Sequence, residues 1–461
     1  MRLIQAVLGC WVLSAIFATP VLAARPNILV LLADDVGWKD FGCYGNPAIR
    51  TPQIDRLAQE GLLFQNCFLT TSQCSPTRIS VLTGKYPHAT GAEDLHVPLP
   101  PGQVFVSTYL QRAGYFTGHM LKTHYGPNGI RQFQWYSNRL ADFPKFLDKA
   151  GGRPFFLWVG FHDAHRPYQP GAVEPPHRAE DVIVPPFMAD TPETRADLAL
   201  YYDEVSRMDG HIGEMVDTLK SRGLLENTCI VFFSDNGRPF PRCKGTVYDS
   251  GIGTPLIFHW PAKIGAGQVH EGLASVVDLA PTFLELAEAD VPGEMQGHSM
   301  APVLGDPSRG GRDYIFAERN WHNCDEHIRC VRSPRYRLIH NAYVELPFGS
   351  PRDVSKSASW LSLKRLKDRG ELRPEQALLF QAPRPVIELY DLKNDPDELT
   401  NVADKPRYQN VVRDLSAVLE RWENTTGDFP PERRRRGDDT DRYTGKKTAK
   451  KTSGRIPPLV E

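Results

Sequence analysis

Two apolar runs in this chain end in clustered acids, and that pairing restricts the fold more than any other feature. Asn27 to Leu32 is continuous, partly β-branched and preceded by Pro26, the pattern of a buried parallel strand. It stops at Ala33-Asp34-Asp35. Cys229 to Phe233 is a second run of this kind and closes on Ser234-Asp235-Asn236-Gly237. Carboxylates at the ends of buried strands are costly unless a cation sits among them. A third run, Phe155 to Phe161, ends in His162-Asp163-Ala164-His165. Between the runs the pattern changes to helix. Thr51-Pro52 opens a short one through Ile54, Leu57 and Ala58. Thr191-Pro192-Glu193 opens a long one, whose Leu198, Tyr201, Val205, Met208, Ile212, Met215 and Leu219 form a single stripe before Gly223. Strands alternating with helices, with polar residues gathered at strand ends, predict an α/β sheet with its site along one edge.

A second region starts near Leu304-Gly305. Asp313 to Ala317, Ile328 to Arg332 and Tyr336 to Asn341 read as antiparallel strands, and Glu388-Leu389-Tyr390-Asp391 leads towards a helix from Tyr408 to Trp422. The expected division is a signal peptide over 1–23, a large domain carrying the site over 24–304, a smaller C-terminal domain over 305–429 and a charged, mobile tail over 430–461. The signal rests on Arg2, the apolar stretch Leu3 to Phe17 and the small-residue site Val21-Leu22-Ala23 before Ala24. That stretch ends at Pro20 and is too short for a membrane anchor. Export to a periplasm or the medium is expected, with no membrane insertion after cleavage. The tail contains Arg433 to Arg436 and several lysines; of a glycan tether and a solvated terminus, the second is preferred. Over 461 residues the formal net charge is −1, so no global field marks the chain for nucleic acid. Attraction of an anion would have to be local. Of eight cysteines, Cys10 falls in the signal; the spacings of the others match no zinc pattern and fix no disulfide pairing.

The chemistry is concentrated around Cys74-Ser75-Pro76-Thr77-Arg78, continued by Leu82-Thr83-Gly84-Lys85. This resembles the signature of the type I sulfatases. The resemblance implies that a formylglycine-generating or sulfatase-maturating enzyme oxidises Cys74 to formylglycine, whose hydrate is the nucleophile. A sulfate ester or sulfamate is a poor electrophile ringed by negative oxygens. It requires a strong nucleophile, a divalent cation and fixed positive groups. Arg78, one helical turn beyond Cys74, can point at the same centre. Lys122 lies in Leu121-Lys122-Thr123-His124-Tyr125-Gly126, similar to the family's G-K-W-H-x-G with Leu121 and Thr123 departing from it. Lys244, followed by Gly245 and Tyr248, resembles K-G-x-x-Y. With Lys85 in support these complete the positive set. His124 matches the residue that takes a proton from the sulfated hydrate, and His165 the one near the leaving group. Asp34, Asp35, Asp235 and Asn236, joined by residue 74, are the implied metal ligands. Hard oxygen donors suit calcium, or magnesium, and argue against zinc.

The resemblance implies an alkaline-phosphatase-like sulfatase fold: a large mixed sheet flanked by helices, plus a smaller C-terminal α+β domain with an antiparallel sheet. Within the family the chain is most similar to the N-sulfoglucosamine sulfohydrolases. Leu95-His96, Phe161 to Arg166, Val182 to Phe187, Arg207-Met208-Asp209 and Arg337 to Asn341 carry that similarity. The implied substrate is a sulfated saccharide, with N-sulfoglucosamine ends of heparan-type glycans first. An exo-acting O-sulfatase on an algal or host glycan is the alternative. A phosphatase or phosphodiesterase of the wider superfamily and a non-catalytic glycan-binding homologue stand behind it. Lys244 replaces the arginine of the best-known N-sulfatases, which bears on the leaving atom. Substrate choice is expected from His96, Glu318, His322, His327 and Arg329, because Glu318 to His327 is unusually polar between apparent strands. An ordinary surface loop is the competing reading of that segment. A homodimer is left open.

Overall fold

The computed structural model describes residues 25–431, 434 and 436–447. The expected signal peptide, with Cys10, lies outside the described residues. A nine-stranded mixed sheet is built from β1 (Asn27–Ala33), β2 (Leu62–Phe68), β3 (Phe116–Leu121), β4 (Trp135–Ser137), β5 (Phe155–Gly160), β6 (Thr228–Ser234), β7 (Gly253–Thr254), β8 (Leu256–His259) and β9 (Gln268–Ser275). Its order is β4-β3-β5-β1-β6-β8-β2-β7, with β9 also paired to β2. A four-stranded antiparallel sheet follows: β10 (Ile315–Arg319), β11 (Ile328–Arg332), β12 (Tyr336–Asn341) and β13 (Ile387–Asp391). This is the alkaline-phosphatase-like arrangement anticipated from the sequence. β10 begins two residues later than the apolar pattern suggested.

Register places the site. β1 runs parallel between β5 and β6, with Leu32 opposite Gly160 and Ala33 opposite Ser234. The carboxyl ends are therefore flush. Two backbone bonds continue the alignment past the strands: the Asp34 N–H donates to the Asp163 carbonyl at 2.9 Å, and the Asp235 N–H donates to the Ala33 carbonyl at 3.1 Å. Three polar strand ends emerge side by side, where open α/β sheets bind their ligands. The helix Pro192–Ser221 buries the stripe read from its sequence, and the Thr191 hydroxyl caps its first turn. Asp209 on that helix accepts the free N–H groups of Gln53 and Ile54 at the start of helix Pro52–Gln59.

The second sheet is fastened to the first. The Glu318 N–H donates to the Thr70 carbonyl at 2.9 Å. The terminal helix Gln409–Thr426 packs through Leu415, Leu419 and Trp422. Trp422 stacks on Phe316 with ring centroids 5.0 Å apart and meets Tyr86 edge-on at 5.0 Å. All seven cysteines among the described residues are free thiols. No helix among the described residues is long and apolar enough to cross a membrane.

Among the described residues of the expected tail, 436–447 make ion pairs with the C-terminal region and with one another. Arg442 bonds Glu326 at 2.8 Å and Asp438 at 2.6 Å, and Asp439 takes Arg352 at 3.0 Å.

Trp422 touches both sheets' surroundings at once, so Trp422→Ala should cost about 3–5 kcal/mol, as large aromatic truncations do. Urea denaturation measures it; a loss below about 1 kcal/mol would show that this helix is only loosely attached.

Candidate active site

Cys74 is the first residue of helix Cys74–Thr83, at the rim of the flush strand ends. Its side chain is 2% exposed. Sγ and one oxygen each from Asp34, Asp35 and Asp235 lie within 4.8 Å of one another. Asp35 can turn its carboxylate inward because its backbone adopts φ 65°, reversing the chain just after β1.

Three cations surround these acids. Arg78 Nε donates to Asp235 Oδ2 at 2.7 Å, and its terminal nitrogen lies 3.7 Å from Asp34. The other guanidinium arm donates to the Lys122 carbonyl at 2.9 Å, across Gly160. A Cβ on Gly160 would stand 2.5 Å from both Arg78 Nη1 and the Lys122 oxygen, so only glycine permits that crossing. The Lys122 ammonium is bonded to Asp34. Lys244 bridges Asp35 at 2.6 Å and Asp353 at 2.7 Å.

The electrostatics follow from crowding. Burial raises the Asp34 carboxyl, but Lys122 and Arg78 outweigh it and hold the group well below the usual carboxylate range. Burial and the neighbouring Asp34 push Asp235 up to about 6, in spite of Arg78. Asn236 donates its amide hydrogens to Asp35 and Asp235, both at 2.9 Å, while its buried carbonyl oxygen has no partner. Three crowded carboxylates beside an unpartnered amide oxygen make a hard-oxygen donor set, which fits a calcium- or magnesium-type cation. Rotation of the Asn236 amide would turn both defects into ligation.

The histidines divide in character. His165 Nδ1 lies 2.6 Å from the Arg166 carbonyl, so that nitrogen carries the hydrogen and Nε2 faces the pocket, 3.9 Å from Asp35 and 4.0 Å from Asp353. His124 shares a 2.6 Å hydrogen bond with His96. Burial, then Lys122 and His96, push His124 down to about 2, which keeps it neutral. The Ser75 hydroxyl accepts the His96 N–H at 2.9 Å and ties that residue to the nucleophile helix.

These groups open into a cavity of about 810 Å³. His96 and His322 line it, as expected from the sequence; Glu318, His327 and Arg329 do not. Glu318 is buried against His88, with Oε2 2.5 Å from Nδ1, and Arg329 is buried on Asp428. In the polar segment from Glu318 to His327, Glu318 meets His88, Glu326 meets Arg384 and Arg442, and Arg319 bonds the Gly245 and Gly349 carbonyls, while Trp321, His322 and Asn323 reach the cavity. Lys85 also stays outside the cluster, its ammonium 3.2 Å from Gln103 at the far end of the nucleophile helix. Asp353, Arg166, Tyr168, Trp321 and Arg436 also line the cavity and were not among the expected site residues. Arg166 stands next to the His165 strand end, Trp321 lies in the polar segment weighed as a substrate loop, and Arg436 ends the basic run weighed as a glycan tether.

Comparison with known proteins agrees with this geometry. The Sulfatase family model matches residues 26–140 and 132–289, and the model described as N-sulphoglucosamine sulphohydrolase, C-terminal, matches residues 243–347. The chain is 32% identical to the human N-sulphoglucosamine sulphohydrolase, over 88% of this chain and 91% of that protein. It is 31% identical to an ulvan-active sulfatase of Formosa agariphila, over 88% of this chain and 76% of that protein. A solved structure in complex with its substrate D-glucosamine-2-N,6-O-disulfate superposes with TM-score 0.65 at 20% identity, covering 88% of this chain and 99% of that one.

A cation should relieve the crowding at Asp235. Adding calcium or magnesium to chelator-stripped protein should raise Tm; a ligand at a hundred times its Kd stabilises by about 2.7 kcal/mol. The cation competes with the proton on Asp235, so the shift should shrink as pH falls below about 6. An unchanged Tm across millimolar additions of both ions would contradict the donor set.

Proposed function

The chain belongs to the sulfatase family, and from that premise we propose that it is an exported, divalent-cation-dependent hydrolase of N-sulfoglucosamine ends in heparan-type glycans. The observation that carries the reaction class is the convergence of the Cys74 side chain with three carboxylates inside a ring of Arg78, Lys122 and Lys244. In this reading a maturating enzyme oxidises Cys74 before the chain folds, since the folded site buries it. The hydrated aldehyde at position 74 would supply the attacking hydroxyl, and Asp34, Asp35, Asp235 and Asn236 would hold a cation that, when bound, would draw charge from the sulfuryl oxygens.

The side chains then have separate tasks. Arg78, Lys122 and Lys244 offset the charge that builds on sulfur's oxygens in the transition state. Asp34, Asp35, Asp235 and Asp353 outnumber Arg78, Lys122 and Lys244 by one, so a divalent ion would still leave the site net positive, as an anionic substrate requires. His165, in its imidazolium form, gives the Nε2 proton to the departing atom and is left neutral, with Nδ1–H still held on the Arg166 carbonyl. Neutral His124 accepts the proton released on regeneration. Asp353 orients Lys244 and faces His165. His96 and His322 contact the sugar ring. The two sheets are read as two domains meeting near Leu304-Gly305.

Similarity to the human N-sulphoglucosamine sulphohydrolase supports the sulfamate preference. A second reading, an O-sulfatase on an algal glycan, is favoured by the comparable identity to the ulvan-active sulfatase and by lysine at position 244. Sulfate release from N-sulfoglucosamine should exceed that from 6-O-sulfoglucosamine and ulvan oligosaccharides by about tenfold or more in kcat/KM, a discrimination that one pocket contact supplies. Release confined to O-sulfated sugars would move the assignment to the second reading. Cys74→Ala should abolish release from every substrate while leaving Tm near that of the parent; retained turnover would overturn the mechanism.

A further inference from the structure

The charges lining the cavity do not cancel. Outside the metal cluster its carboxylates are each already matched. Asp197 receives two bonds from Arg166 at 2.7 and 2.8 Å, Asp353 receives Lys244 at 2.7 Å, and Asp439 receives Arg352 at 3.0 Å. Lys356, Arg436 and Lys447 line the same cavity and form no ion pair among the described residues. Lys356 and Lys447 are exposed and Arg436 is half-buried, so covering Arg436 with substrate is unfavourable unless the substrate brings further negative charge.

Arg436 is the best fixed of the three. Its guanidinium lies 3.5 Å from the centroid of the Trp321 ring, and the Trp321 indole N–H donates to the Gly437 carbonyl at 3.1 Å. The Trp321 carbonyl accepts the Leu95 N–H at 3.1 Å and the Gln73 side chain at 2.8 Å. Gln73 directly precedes Cys74, and Trp321 packs with Leu95 and Cys74. One indole therefore joins the guanidinium to the start of the nucleophile helix. A guanidinium laid against an aromatic face keeps its in-plane N–H groups available to an anion. Its field reaches the pocket: burial, Lys122, Lys244 and then Arg436 lower the pKa of His96. The Arg442 bonds to Glu326 and Asp438 hold the segment that carries it.

We propose that Arg436, with Lys356 and Lys447 lining the same cavity, forms a second anion subsite that binds a further sulfate ester or carboxylate of the same glycan while the scissile sulfuryl group sits at residue 74. The subsite strengthens binding and takes no part in bond breaking. It rests on the reading above for the position of the scissile group, but its test requires no turnover. Calorimetry on full-length Cys74→Ala protein with calcium compares three probes: glucosamine-2-N-sulfate, glucosamine-2-N,6-O-disulfate, and N-sulfoglucosamine linked to a uronate. The disulfate probes a sulfate ester and the uronate a carboxylate; at least one should bind about tenfold tighter than the singly charged sugar, as one charge-assisted hydrogen bond provides. Adding Arg436→Gln should remove that advantage, and Arg436→Lys should restore part of it. Without any change at position 436, rising salt should weaken the doubly charged probe more steeply than the singly charged one. Equal affinities for all three probes, equal salt slopes, or an advantage that survives Arg436→Gln would each overturn the subsite. Loss of sulfate release by the parent enzyme would instead count against the substrate reading and leave these affinities to be judged separately.

Discussion

Arg78 is fully buried with three acids and two lysines, and every other part of the site accommodates that cluster. Charges leave water only if each is paired and hydrogen-bonded; removing one partner strands the other at a cost of about 3–5 kcal/mol. The cluster draws on segments far apart in sequence: Asp34 and Asp35 after β1, Arg78 in the nucleophile helix, Lys122 after β3, Asp235 after β6, and Lys244 beyond it. Flush parallel strands are what let these segments meet. A displacement of β1 against β6 would separate Asp34 from Asp235 and leave Arg78 unable to serve both. Gly160 belongs to the same constraint, since the guanidinium crosses β5 where a side chain would stand.

Much of this was legible because local pattern and local chemistry coincided. An apolar run ending in acids marks both a buried strand and a reason for a cation, so β1 and β6 could be placed together with the acids that converge at their ends. The helix Pro192–Ser221 announced itself by its cap and its stripe. The C-terminal part was read less well. Hydropathy reports whether a segment is polar, and it cannot report whether the polar groups face water or one another. Glu318 finds His88 and Arg329 finds Asp428, partners separated by long stretches of chain that carry no period. A segment that looked like a substrate loop is therefore mostly a buried ionic lattice. Asp353 was missed for the same reason, because its meaning comes from Lys244 rather than from its neighbours in sequence. Arg436 stood out only as part of a basic run, and its place against Trp321 is not a local property of the sequence.

The backbone shows where function overrode local preference. Asp35, His96, His124 and Asn323 all have positive φ, between 58° and 68°. That region costs a non-glycine residue roughly 1–2 kcal/mol, and such positions persist only where surrounding contacts determine them. Here the contacts are identifiable: His96 is held by Ser75 and His124, and Asp35 by Lys244 and Asn236. Aspartate, asparagine and histidine are also the non-glycine residues that enter this region most often.

That arrangement has an electrostatic result. The pocket's histidine pair is kept neutral by burial and by the lysines, with His124 pushed down to about 2 and His96 also lowered. The cations that face the anion are of another kind: Arg78, Lys122 and Lys244 are all raised above their ordinary values, because the nearby carboxylates outweigh the cost of burial. The site thus separates two roles that a single residue type could have blurred. Fixed charge comes from groups that do not titrate near neutrality. In the proposed mechanism proton movement falls instead to the imidazoles, of which His165 turns Nε2 to the pocket while His124 is engaged through Nε2 with His96.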